Sequence, residues 1–307
     1  MKVLVLTGPT GVGKTEIAAE LALRNDLDLV SADSRQVYDW LNVGTAKPDR
    51  ALRSRLAVHM VDMVDPRLSY SAADYARDAL AVMRRLERAG RRFVLVGGSG
   101  LYIRAVFEPL FETPKPTPGI RNRLKRQPTA QLYECLKRAD PERASELNPH
   151  DRQRIVRSLE VYEQTGQPIS KLRRRSAPPP EFRPRYVVLT RPKPVLYARI
   201  DRRFEQMLEQ GLLDEVRQLR AAGIKRDSRV LNAYGYSELM AHLEGTMTLA
   251  DAVARSKAKT RAYARRQLTW LRALPDAQWV EYTNQSEVIA ELEKVLEETG
   301  GTLSATS

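Results

Sequence analysis

Val3-Leu4-Val5-Leu6-Thr7 runs without a break into Gly8-Pro9-Thr10-Gly11-Val12-Gly13-Lys14-Thr15. The first five residues read as a short buried strand, and the next eight match the spacing G-x-x-x-x-G-K-[ST]. Glycines at these places let the backbone turn tightly, so that its N–H groups face phosphate oxygens. Lys14 adds a compact positive charge, Thr15 offers a hydroxyl to Mg²⁺, and the helix expected next presents its positive end. The bland alternative, a structural glycine turn, does not account for a strand before and a helix after. Gly8, Pro9, Thr10, Gly11, Val12, Gly13, Lys14 and Thr15 are therefore expected to bind diphosphate or a nucleotide, ATP by the motif alone. The motif does not say whose phosphate it holds.

Further apolar runs lie at Leu27–Ser31, Phe93–Val96 and Tyr186–Thr190, with helical stretches such as Ser71–Ala89 between them. Strands alternating with helices predict an α/β core, a P-loop-type parallel sheet with helices on both faces. In such a sheet ligands bind beyond the carboxyl ends of the strands. The second strand ends at Asp33-Ser34-Arg35-Gln36 and the next at Gly97-Gly98-Ser99-Gly100. Asp33 is a candidate general base or second Mg²⁺ ligand, or else a cap for the turn it begins. Ser99 is a candidate hydrogen-bond donor, or else part of an ordinary strand-to-helix turn. Glycine, not aspartate, closes the strand at Phe93–Val96, which argues against a nucleotide-hydrolysing motor. His59 reads as a buried polar residue and Cys135 as core.

Charge sets one region apart. The 307-residue chain, long enough for about two domains, carries 51 Lys and Arg against 38 Asp and Glu, a formal +13. Residues 115–185 alone hold 17 Lys or Arg and 8 Asp or Glu, so most of the excess is there. Prolines bracket this stretch at Pro114, Pro116 and Pro118 and at Pro178, Pro179, Pro180 and Pro184. Inside it Thr129–Arg138, Pro141–Leu147 and Asp151–Thr165 have helical patterns, the last with Ile155, Leu159 and Tyr162 on one face. A small, basic, all-helical insertion at 115–185 is expected, with a core built from 1–114 and 186–300. Its excess charge favours an anionic partner, nucleic acid first. The run Lys171-Leu172-Arg173-Arg174-Arg175 is either a solvated loop or a phosphate contact. One cysteine and three histidines exclude a disulfide framework and a four-cysteine zinc site. No run reaches the length of a membrane span, and a cytoplasmic monomer with a frayed tail at 301–307 is expected.

Taken in order, six motifs resemble those of bacterial-type tRNA dimethylallyltransferases, also called tRNA isopentenyltransferases. They are Gly8–Thr15, Asp33-Ser34-Arg35-Gln36-Val37-Tyr38, Gly44-Thr45-Ala46-Lys47-Pro48, Gly97-Gly98-Ser99-Gly100-Leu101-Tyr102, Gln153–Tyr162 and Arg265-Arg266-Gln267-Leu268-Thr269-Trp270. The resemblance implies transfer of a dimethylallyl group from dimethylallyl diphosphate to N6 of the adenosine immediately 3′ of certain tRNA anticodons. It implies Mg²⁺ as cofactor, held by Thr15 with Asp33 as a second candidate. It makes the helical insertion a grip on the anticodon stem-loop.

Carried over by position, Asp33, Thr15 and Arg203 are the catalytic residues, Arg203 binding diphosphate. The tRNA contacts would be Asp33, Ser34, Arg35, Gln36, Ser99, Arg121, Gln153, Arg154, Ile155, Val156 and Arg157. Serine at 99 replaces the family's usual threonine and keeps the hydroxyl. The insertion is short between Arg121 and Leu132, which puts Arg121 in question. A P-loop kinase using ATP shares the phosphate loop and Asp33 but gives no reason for the basic insertion. A nucleic-acid-binding ATPase explains the charge but not the glycine at the strand end.

Overall fold

The computed structural model describes residues 1–108, 114, 117–174, 180–224 and 228–299. Two compact units emerge, Met1–Glu108 with Pro180–Ser307, and Pro109–Pro179.

In the first unit β1 (Lys2–Thr7) leads through the glycine-rich turn into α1 (Lys14–Asn25) and β2 (Asp28–Ala32). There follow α2 (Arg50–Arg55), β3 (Val58–His59), α3 (Ala72–Arg88), β4 (Phe93–Gly97) and α4 (Gly100–Phe107). With β5 (Arg183–Thr190) and β6 (Gln278–Glu281) from later in the chain, the six-stranded sheet has the order β3-β2-β4-β1-β5-β6, with every pair parallel. Side chains alternate across β1: Leu4 and Leu6 join one buried cluster with Ile17, Leu21 and Leu292, while Val3 and Val5 join another with Tyr75, Met83 and Ile103. This period of two packs helices on both faces and keeps the central strands dry. Helix α3 begins at a capping box, in which Ser71 and Asp74 satisfy each other's backbone N–H groups.

The second unit holds α5 (Pro118–Arg126), α6 (Thr129–Ala139), α7 (Pro141–Glu146), α8 (Arg152–Thr165) and α9 (Ile169–Arg174). Leu124, Leu132, Leu136, Leu147, Ile155, Val156 and Leu159 form its core. Two buried carboxylates tie it together. Glu160 accepts from Arg121 Nη2 at 2.6 Å and Arg157 Nη1 at 2.9 Å. Asp140 accepts from Ser170 N at 2.9 Å and Ser170 Oγ at 2.6 Å. Cys135 is only partly buried against this core. Lys171 starts no loop: it lies in α9, while Arg175, Pro178 and Pro179 are outside the described residues, as are Pro116 and the tail 301–307.

The chain then returns to the sheet as β5 (Arg183–Thr190), followed by α10 (Lys193–Glu209), α11 (Leu212–Ala221), α12 (Tyr236–Leu243), α13 (Leu249–Leu271), β6 (Gln278–Glu281) and α14 (Gln285–Thr299). The expected boundary at 185 is thus too late. Phe182 is already buried edge-on against Phe93, and Arg183 already pairs with Lys2. Pro184, one of the bracketing prolines, sits within the strand, beside Val3. His59, expected to be buried, lies on the edge strand β3 and shares Asp28 Oδ2 at 2.7 Å.

Register fixes what meets at the top of the sheet. Gly97 stands level with both Thr7 and Ala32, so the turns after β1, β2 and β4 converge. The approach leaves no room for a side chain at Gly97, where an added Cβ would lie 2.2 Å from Ala32 O. Gly97→Ala is expected to cost about 3 kcal/mol or more by forcing the strands apart, read as a fall in denaturant midpoint. Gly119→Ala, with open space around it, should leave the midpoint unchanged or raise it. Equal midpoints for both variants would refute this account of the strand ends.

Candidate functional site

The three turns open onto a cavity of about 160 Å³. Thr10 and Gly11 come from the first turn, Asp33, Ser34 and Arg35 from the second, and Ser99 from the third. Gly44 and Thr45 also line it, as do Ile200, Arg203, Phe204 and Met207 from α10, Ala233, Tyr234, and Thr260 and Tyr263 from α13. Of the expected catalytic residues, Asp33 and Arg203 line this space, whereas Thr15 is exposed on the first turn of α1.

Charge is unevenly matched in the cavity. Lys14 Nζ donates to Gly8 O at 2.9 Å and Pro9 O at 3.0 Å. Loss of hydration brings its pKa down to about 8; Asp33 works against that fall and Arg203 adds to it. Burial also lowers the Arg203 guanidinium, again opposed by Asp33. Two partly buried cations therefore lean on one carboxylate. Asp33 Oδ1 meanwhile accepts from Arg35 N at 2.8 Å and Gln36 N at 3.3 Å. The cap expected as an alternative role is real, and it fixes the carboxyl group in a turn that faces the cavity.

Neighbouring loops are braced by buried polar groups. Gln36, expected to contact tRNA, is buried. Its Oε1 accepts from Ser31 Oγ at 3.0 Å, and its Nε2 donates to Thr45 O and Ala46 O at 3.2 Å. Its side chain is a strut between loops and is spent on them. The Glu215 carboxylate accepts from Asn42 N at 2.7 Å, Val43 N at 2.8 Å and Tyr236 Oη at 2.5 Å, holding the start of the Gly44–Pro48 turn. Ser99 Oγ accepts from Ser34 N at 2.9 Å. Tyr263 stacks at a tilt on Tyr234, ring centroids 5.0 Å apart. Burial, with Asp33 and Tyr234 adding, pushes the Tyr263 phenol up to about 12, so it stays neutral.

Expectations for the helical unit divide. Gln153 and Arg154 are exposed on α8, Arg154 within 3.4 Å of the Asp151 carboxylate. Ile155 and Val156 are buried in that unit's core, so their side chains are not RNA contacts. The helical period that put Ile155 beside Leu159 already implied this. Arg121 and Arg157 are both engaged by Glu160. Sequence reasoning missed the wall contributed by α10 and α13, apart from Arg203. It also gave Gln267 no role, although the motif around that residue was visible.

A family model described as IPP transferase matches residues 36–274. A tRNA dimethylallyltransferase of Citrifermentans bemidjiense is 43% identical over 283 residues, 92% of each chain. One from Roseiflexus castenholzii is 45% identical over 279 residues, 89% of this chain and 90% of that one. The crystal structure of the full-length tRNA isopentenylpyrophosphate transferase from Bacillus halodurans superposes with TM-score 0.73 at 32% identity, covering 97% of this chain and 96% of that one. A eukaryotic dimethylallyltransferase acting on tRNA gives TM-score 0.82 at 25% identity, covering 99% of this chain and 81% of that one.

Lys14 supplies a pH test. A diphosphate beside it favours the ammonium form, returning its pKa towards the ordinary 10.5. The gain in affinity is complete where free Lys14 is already protonated and is lost as pH rises through about 8. Calorimetric affinity for dimethylallyl diphosphate should fall roughly tenfold from pH 7 to pH 9. An affinity that is flat over this range would remove Lys14 from the anion site.

Proposed function

The chain belongs to the IPP transferase family and is an enzyme that transfers a dimethylallyl group to tRNA; we propose that it takes this group from dimethylallyl diphosphate and delivers it to N6 of the adenosine 3′-adjacent to the anticodon. The observation that carries the proposal is the cavity itself. It joins an excess of positive charge, a single carboxylate and an apolar wall within reach of the phosphate loop.

Each part has a role in allylic transfer. The diphosphate lies on the loop Gly8–Thr15, with Lys14 and Arg203 facing the negative charge that grows as the allylic C–O bond breaks. Ile200, Phe204 and Met207, spaced on one face of α10, border the five-carbon tail. Adenine N6 is a poor nucleophile because its lone pair is delocalised into the ring. Asp33 takes its proton as the C–N bond forms, an effect typically worth about 10² to 10⁴ in rate. Ser34, Arg35 and Ser99 border the space for the target base, which leaves its stack to reach the strand ends.

Mg²⁺ fits the donors present. Among the described residues no three His, Cys, Asp or Glu cluster to hold a metal. An ion at the exposed Thr15 hydroxyl, with Asp33 as second candidate, would thus take most of its oxygens from diphosphate and water, the habit of Mg²⁺. When bound it would neutralise charge on the leaving diphosphate. Gln153 and Arg154, with their helical unit, would meet the anticodon stem-loop. No helix among the described residues is long and apolar enough to cross a membrane.

The rival with a physical basis is ATP-dependent phosphoryl transfer on the same loop. Incubation with unmodified tRNA, dimethylallyl diphosphate and Mg²⁺ in rigorously ATP-free buffer, followed by mass analysis of nucleosides, separates the two. The expected product is N6-dimethylallyladenosine, with inorganic diphosphate competing. Product that appears only when ATP is restored would overturn the proposal.

A further inference from the structure

Gln267 lies near the end of α13 and is only 2% exposed. Its Oε1 accepts from Thr10 N at 2.8 Å, and its Nε2 donates to Gly98 O at 2.8 Å. These partners fix the orientation of the amide, since one can only donate and the other only accept. One neutral side chain thus spans the two glycine turns that follow β1 and β4, neighbouring strands of the sheet.

We propose that Gln267 is a positioning residue for the transfer reaction, tying the phosphate loop to the turn after β4 so that the loop is already shaped to receive diphosphate. The inference rests on the assignment of the cavity to that ligand. Three observations converge on it.

The first is that the Thr10 amide is already committed to Gln267. Phosphate loops recognise anions through backbone N–H groups, yet this one is turned away to hold the loop's shape. Any Thr10 contact with ligand falls to its other atoms. The second is crowding. A Cβ at Gly98 would come within 2.6 Å of Gln267 Nε2, 3.3 Å of Gly8 O and 3.5 Å of Lys14 Nζ. A Cβ at Gly100 would meet the Trp270 ring at 2.6 Å. The glycines of the turn after β4 thus make room for the α13 residues that brace it. The third is chemistry. Spanning these partners requires an acceptor at one end and a donor at the other, without charge beside a bound anion. Glutamate loses the donor and adds repulsion. Methionine keeps the length and loses both bonds.

Binding of inorganic diphosphate, which needs no transfer step, keeps this inference separable from the activity. Gln267→Met should weaken that binding at least tenfold and raise KM for dimethylallyl diphosphate in parallel, while KM for tRNA stays within twofold. Gln267→Glu should weaken diphosphate binding further. Diphosphate affinity within twofold of the unaltered protein in either folded variant would overturn the proposal. Hydrogen exchange in the unaltered protein tests the same point independently of any variant. The Thr10 amide should be protected without ligand and no more protected with diphosphate. Protection that appears only on adding diphosphate would show that this amide serves the ligand, and would equally overturn the proposal.

Discussion

Two partly buried cations share one carboxylate at the top of the sheet, and the rest of the site depends on that imbalance. Lys14 on the phosphate loop and Arg203 in the cavity wall both lose hydration, and the Asp33 carboxylate opposes the effect in each case. Removing charge from water is costly without compensation. Lys14 Nζ donates to Gly8 O and Pro9 O. A charged anion is a stronger acceptor for an ammonium group than neutral carbonyls are. On the proposed reading the same positive field stabilises the charge on the departing diphosphate, so binding and chemistry draw on one arrangement.

Such a site works only if its walls do not relax around the cations. The bracing is polar and buried. Gln36 joins the Asp33 turn to Thr45, Glu215 collects backbone N–H groups at Asn42 and Val43, and Gln267 spans Thr10 and Gly98. From outside, Arg199 Nε donates to Gly11 O at 3.0 Å and Arg191 Nε to Val12 O at 2.9 Å, so that carbonyls of the phosphate loop are also held. None of these braces carries a net negative charge into the cavity beside the diphosphate position. That leaves Asp33 as the carboxylate lining it.

The legible parts of this architecture were local ones. The phosphate loop is a contiguous pattern, and β1, β2, β4 and β5 are apolar runs that only a buried strand explains. The edge strands were not legible. Strand β3 has two residues, and Gln278–Glu281 buries only Val280. The cavity wall stayed hidden for another reason. Helical periodicity says which residues share a face, not which face meets a cavity, so nothing in the sequence marks Phe204, Met207 and Tyr263 as cavity lining. Gln267 stands among lysines and arginines of α13, and nothing in that company marks it as buried. Ile155 and Val156 erred in the opposite sense. They were carried over as part of a contiguous block, although a period of 3.6 turns consecutive residues to different faces.

The central claim is that Asp33 serves proton removal while the cations hold the diphosphate. Asn in its place keeps the shape and an oxygen for the Arg35 and Gln36 amides but cannot take a proton. The direct measurement pairs equilibrium binding of dimethylallyl diphosphate with single-turnover transfer to tRNA in Asp33→Asn. The account predicts binding as tight as before or tighter, because a negative charge has left the anion's surroundings. It predicts transfer slower by about 10² or more. Lost binding with transfer otherwise preserved, or a transfer rate within threefold of the unaltered enzyme, would contradict it.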